Sequence, residues 1–178
     1  MPMFRAAAVL LLAGVLGLSN ELPRPSPLQL GETLPPLTGQ TITGHSLQLP
    51  EAVHGRQAIL IFSFSRAGGQ QEQKWATQLS KDHAPVVIYS AVFLESVPRL
   101  FRPLALAGIR GGMPAPLQNR TLILYRDERL WQQRWNGLDK NQAGVILLDP
   151  EGRIRWITSG PFSESLGRAL EKQIRASR

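Results

Sequence analysis

The sequence predicts one α/β domain in three layers, a mixed central sheet flanked by helices, with an N-terminal hairpin and an insert. Three observations predict it. Ala58–Phe64 and Val86–Phe93 are nearly unbroken apolar runs rich in β-branched and aromatic residues, the pattern of strands buried on both faces. Gln70–Ser80 lies between them with Trp75 and Leu79 four residues apart on one helical face, and a strand, helix and strand so spaced form a crossover unit with parallel strands. Gly144–Asp149 and Arg153–Ile157 flank Pro150-Glu-Gly152, where proline presets a turn and glycine accepts positive φ, so a hairpin adds antiparallel strands.

The remaining elements follow in chain order. Residues 20–29 carry Pro23, Pro25 and Pro27 and read as an extended linker, with the domain occupying 30–178. Leu30–Pro50 holds short alternating apolar runs broken by Gly39 and Gly44, which predicts a hairpin, and Pro35 and Pro36 keep it at a sheet edge. Residues 96–120 form the insert. Leu100, Phe101, Leu104, Leu106 and Ile109 suit a short amphipathic element there, broken by Pro103, Gly111 and Gly112. Thr121–Tyr125 is a third strand, and a short helix bearing Leu130, Trp131 and Trp135 ends near Gly137. The last helix starts near Ser163 with Leu166, Ala169, Leu170 and Ile174 as its apolar stripe.

The N-terminus suggests export. Arg5 precedes 13 apolar residues, Ala6–Leu18. That run falls short of the roughly 20 residues a membrane span needs but fits the apolar region of a secretory signal, with Gly17 and Ser19 as small residues before a cut. Residues 1–19 therefore read as a signal peptide, or alternatively a membrane anchor, and the expected location is extracytoplasmic, such as the periplasm. The chain has no cysteine, which excludes a lipid-modified cysteine anchor and a disulfide framework.

The chain has 20 basic against 13 acidic residues, a net charge of +7. Ser96–Arg126 contains no acid but includes Arg99, Arg102, Arg110, Arg120 and Arg126. Arginine interleaved with apolar residues suits an anionic membrane surface or an acidic, partly apolar client protein. Nucleic acid is not an expected partner, because Phe101 is the only aromatic between Ser96 and Arg120 that could stack on a base. His45, His54 and His83 lack ligand spacing, so no metal or cofactor is expected. Ser63, Ser65 and Ser90 lie outside any Gly-x-Ser-x-Gly elbow. Asp149 reads as a turn residue, and Trp131, Trp135 and Trp156 as core or rim.

The segment Ala58-Ile-Leu-Ile-Phe-Ser-Phe-Ser-Arg-Ala-Gly-Gly-Gln-Gln-Glu-Gln-Lys-Trp75 resembles the active-site segment of thioredoxin-like proteins. Gly31-Glu-Thr-Leu-Pro-Pro-Leu, together with Leu47–Phe64, resembles the opening of the peroxiredoxin and TlpA-like families. The resemblance implies a thioredoxin-like fold, but Ala67 and Gln70 stand near the places of the reactive cysteines, and Ala143 at the place of the cis-proline. Since a thiolate is the nucleophile in both dithiol exchange and thiol peroxidase chemistry, both are excluded. A narrower resemblance rests on Arg66, the basic insert and Asn141-Gln-Ala-Gly-Val-Ile-Leu-Leu-Asp-Pro-Glu-Gly-Arg-Ile-Arg-Trp156 followed by Gly160. These are similar to the mitochondrial ATPase-assembly family numbered ten, which implies a chaperone-like role toward F-type ATP synthase.

Arg66, Gly68, Gly69 and Gln70 follow a central strand, where open α/β sheets place ligands, and the amides of the next helix could hold an anion. With Arg99, Arg102 and Arg110 they form the candidate binding set; no catalytic residue is expected. The reading is a non-redox binding protein, an assembly factor or chaperone for a membrane complex such as F-type ATP synthase. Its alternative is an exported domain with a cysteine-independent enzymatic or small-anion-binding role. Arginines gathered on one apolar-rimmed face would favour the first. A closed pocket holding a carboxylate or histidine would favour the second.

Overall fold

The computed structural model describes residues 25–81 and 86–177. The signal or anchor expected over 1–19, the first half of the linker and His83 lie outside the described residues. Among the described residues seven strands form one mixed sheet, in the order β2 (Ser46–Leu49), β1 (Leu37–Thr41), β5 (Thr121–Leu124), β4 (Val87–Phe93), β3 (Ala58–Ser63), β6 (Gly144–Leu148) and β7 (Ile154–Ser159). The buried runs become β3 (Ala58–Ser63) and β4 (Val87–Phe93), parallel as their crossover required, and β5 (Thr121–Leu124) runs parallel beside β4. The hairpin signal becomes β6 (Gly144–Leu148) and β7 (Ile154–Ser159), with β6 antiparallel to β3. Asp149 is the turn residue expected: its Oδ1 accepts the Glu151 and Arg153 amides, and its Oδ2 takes the Arg155 Nε–H at 2.7 Å.

Helices α1 (Arg66–Lys81), α2 (Arg102–Gly112), α3 (Ala115–Gln118) and α5 (Glu164–Ala176) cover one face of the sheet, around Ile59, Ile61, Trp75, Val145 and Leu170. Helix α4 (Glu128–Arg134) covers the other, where Trp131 stacks on Phe62 at 5.2 Å and Trp135 meets it edge-on at 5.4 Å. Trp156 is half-buried at the rim.

The expected hairpin is β1 (Leu37–Thr41) paired with β2 (Ser46–Leu49). Strand β1 pairs with β5 through Gln40–Ile123 and Thr41–Leu122, and Gly39 lies close against the same strand, where a Cβ would stand 3.0 Å from Ile123 O. At the other end of this hairpin Leu37 and Leu49 join the core on the α4 side, and Pro50 packs on Gly152. The described part of the proline-rich linker is fastened rather than loose: Leu28 N donates to Arg134 O at 2.8 Å, and Leu28 packs on the same core.

Two expectations change. Residues 96–120 are the crossover that parallel pairing of β4 and β5 demands, with α2 and α3 built into it, rather than an appended insert. Pro103 does not break the amphipathic element; it occupies the first turn of α2, where its missing N–H costs nothing.

Candidate functional site

Strands β3, β4 and β5 run in one direction and β6 in the other, so four segments meet at one edge of the sheet. They are Ser65–Gln70, Glu95–Leu104, Tyr125–Glu128 and Asn141–Ala143. A reciprocal pair of carboxylates fixes two of them: Glu95 Oε2 accepts the Glu128 amide at 2.8 Å, and Glu128 Oε2 accepts the Ser96 amide at 3.0 Å.

Helix α1 begins at Arg66, four residues earlier than its apolar spacing suggests. The two glycines lower helix propensity and hide this start, but Ser65 caps it. Its Oγ accepts the Gly68 amide at 3.1 Å and its carbonyl accepts the Gly69 amide at 2.8 Å. Two of the amides offered to an anion are therefore already used within the chain. Arg66 and Gln70 are exposed on the first turns.

The loop before β6 is strapped onto that same turn. Gln71 donates Nε2 to Asn141 O and accepts the Ala143 amide on Oε1, both at 3.2 Å, while Ser65 Oγ donates to Asn141 Oδ1 at 3.1 Å. Gly68 makes this approach possible, since a Cβ there would stand 3.1 Å from Lys140 O and 3.2 Å from Gln142 O. The surface beside the former redox positions is thus filled by the protein's own side chains.

Under the start of α1 lies a residue that polarity alone conceals. Glu72 is fully buried, and burial pushes its carboxyl from 4.5 up to about 7, against the smaller lowering effects of Ser63 and Ser90. Ser63 Oγ–H donates to Glu72 Oε2. Glu72 Oε1 and the Ser90 hydroxyl are buried without a hydrogen-bond partner among the described residues. Glu72 sits among glutamines and lysine in sequence, yet its spacing of three, four and seven to Trp75, Ala76 and Leu79 puts it on the inward face, the one signal that could have revealed it.

The structure brings Arg66, Arg99 and Arg102 to the shared edge and separates Arg110 from them. Arg102 is a bracing residue: Nε donates to Val97 O at 3.0 Å, and the guanidinium lies 4.8 Å over the Tyr125 ring. Arg110 braces the far end of α2, bonding Ile42 O at 3.0 Å. Arg99 is exposed beside three apolar side chains, Leu100, Phe101 and Leu104, whose exposures are 83%, 56% and 74%. None of the ion pairs among the described residues involves an arginine of 96–126. A cleft of about 530 Å³ is lined by Leu37–Gln40, Ile123–Asp127 and Trp131.

The model of the family described as "ATP10 protein" matches residues 29–176, nearly the whole domain. The chain belongs to the ATP10 family. Solved structures similar to this member share its fold at low identity. A protein described as a thiol:disulfide interchange protein DsbE from Chlorobium tepidum has a TM-score of 0.59 and 17% identity over 84% of this chain and 98% of its own. The thioredoxin domain of a thiol-disulfide oxidoreductase from Bacteroides vulgatus has a TM-score of 0.58 and 20% identity over 83% and 99%. BsSco, of the Sco family of cytochrome c oxidase assembly proteins, has a TM-score of 0.57 and 14% identity over 84% and 96%. Comparison with curated protein sequences gives no match. The ATP10 protein described here is therefore thioredoxin-like in fold, and without cysteine it performs no thiol chemistry.

Among the described residues no helix is long and apolar enough to cross a membrane, and no cluster of acidic or histidine side chains could hold a metal ion.

Proposed function

We propose that this ATP10 protein is a non-redox binding protein that assists assembly of F-type ATP synthase, acting as a chaperone for a membrane subunit. The family match over residues 29–176 carries this reading. The geometry supports binding rather than catalysis: Arg66 and Arg99 stand exposed at one edge beside an apolar ridge, while Ser65, Gln71 and Asn141 close the adjoining redox position. The enzymatic alternative has little to build on. Glu72 is sealed under α1 and does not line the cleft.

The protein acts outside the cytoplasm, delivered by residues 1–19, on the strength of Arg5 and the apolar run that follows it. Sequencing the N-terminus of the native protein tests this, since an intact cytoplasmic chain would overturn export. For the assembly role, the native protein is crosslinked in its membranes and the partners identified. ATP synthase subunits are expected, with less assembled complex after deletion and reduced recovery in an Arg66→Gln/Arg99→Gln variant. Absence of every synthase component together with unchanged assembly after deletion would sink the proposal.

A further inference from the structure

We infer that the start of α2 is a lipid-docking ridge that inserts Leu100, Phe101 and Leu104 among the headgroups of an anionic bilayer. Helix α2 contains no buried residue, yet Ala105, Leu106 and Ile109 pack its inner side against the core, so its orientation is fixed. The turn Arg99–Phe101 that leads into α2 and the outer side of its first turn present Leu100, Phe101 and Leu104, three of the six large apolar side chains exposed among the described residues. Tyr125, a fourth, lies under the Arg102 guanidinium and brings Arg126 beside the ridge.

Charge selects the occupant. Arg99, Arg102 and Arg126 border the apolar side chains, with no acidic residue between Ser96 and Arg126; the flanking Glu95 and Glu128 carboxylates are turned onto the Glu128 and Ser96 amides, and none of the ion pairs among the described residues involves these arginines. The three apolar side chains stand out from the surface instead of lining a pocket, so they offer little shape for a protein to match. Apolar insertion flanked by uncompensated arginine is the chemistry of an anionic membrane surface. The ridge starts at the sheet edge that carries Arg66, so docking turns that edge toward the bilayer.

The inference goes beyond the assembly role and does not depend on it. The chain has no cysteine, so an Ala107→Cys substitution on the exposed side of α2 gives the full-length protein one labelling site. An environment-sensitive fluorophore there should shift to the blue and brighten severalfold on vesicles of phosphatidylcholine with phosphatidylglycerol. Nitroxide lipids should quench it. The same label at Ala169→Cys on α5 should not respond. Adding Leu100→Gln and Leu104→Gln should abolish the response, and Arg99→Gln should weaken it about fivefold.

A silent label on vesicle-bound protein, an equal response on pure phosphatidylcholine, or an equal response at position 169 would overturn the proposal. So would a label silent on vesicles while the ridge crosslinks to a protein in native membranes. Because assembled ATP synthase is measured separately in the deletion, a failed ridge and a failed assembly role remain distinguishable.

Discussion

Ionising Glu72 means placing a carboxylate charge where only Ser63 and Ser90 can answer it, so burial favours the protonated acid and holds the group near pH 7. Below about 4.5 the carboxyl is protonated in both the folded and unfolded chain, and the folded state keeps its full stability. As pH rises from there the unfolded chain loses its proton first, and stability falls until the folded pKa of about 7 is passed. The loss is roughly 3 kcal/mol. Glu72→Gln should remove this slope, and comparing urea midpoints of both proteins at about pH 5 and about pH 8 isolates it from other titrations. Parallel pH profiles would show that Glu72 finds solvent. A second residue-scale contrast lies at the paired glycines of α1. Gly69 has open space around its absent Cβ, so Gly69→Ala should stabilise by about 1 kcal/mol through helix propensity. Gly68→Ala should instead lower the thermal midpoint, because the new Cβ meets the carbonyls of Lys140 and Gln142. Equal responses at the two positions would contradict this packing.

At the scale of elements, α1, α2 and the loop before β6 show how local signals and tertiary contacts divide the work. The apolar spacing of Trp75 and Leu79 marks α1 as a helix, but its first turn is set by Ser65 and held by Gln71 reaching across to Asn141 and Ala143. Gln71→Ala removes both strap bonds, and it should raise amide exchange over 139–143 while leaving the core strands protected. Unaltered exchange there would mean that the strap is not what orders the loop. For α2, the alternation of arginine and leucine was legible as amphipathic. What residue order could not convey is that Arg102 and Arg110 are committed to carbonyls at opposite ends of the helix, while Arg99 stays exposed just before it. Such commitments depend on Ile42 and Tyr125, remote in sequence and adjacent only in space.

For the whole molecule, the net charge of +7 and the acid-free stretch Ser96–Arg126 make association with anionic partners sensitive to salt. Raising salt from about 0.1 M to about 0.5 M shortens the screening length from about 10 Å to under half of that, and should release the ridge label from anionic vesicles. Retention of the full signal would indicate apolar insertion alone. The fold was legible because its strongest signals are local: two doubly buried strands, a Pro-Glu-Gly turn and a capped amphipathic last helix, with Ser163 accepting the Leu166 amide. The absence of cysteine likewise ruled out thiol chemistry without coordinates, since no arrangement of the chain can supply a missing nucleophile. The site divides differently. Sequence placed Arg66, Arg99, Arg102 and Arg110 in one candidate binding set, but only the parallel run of β3, β4 and β5 carried the first three to one edge and left Arg110 apart. Only tertiary packing buried Glu72 and strapped Asn141 and Ala143 onto Gln71. Composition and periodicity fix which side chains are available and which face of an element is apolar. Which groups meet, and which are left exposed, is decided when distant segments compete for the same hydrogen bonds and the same buried space.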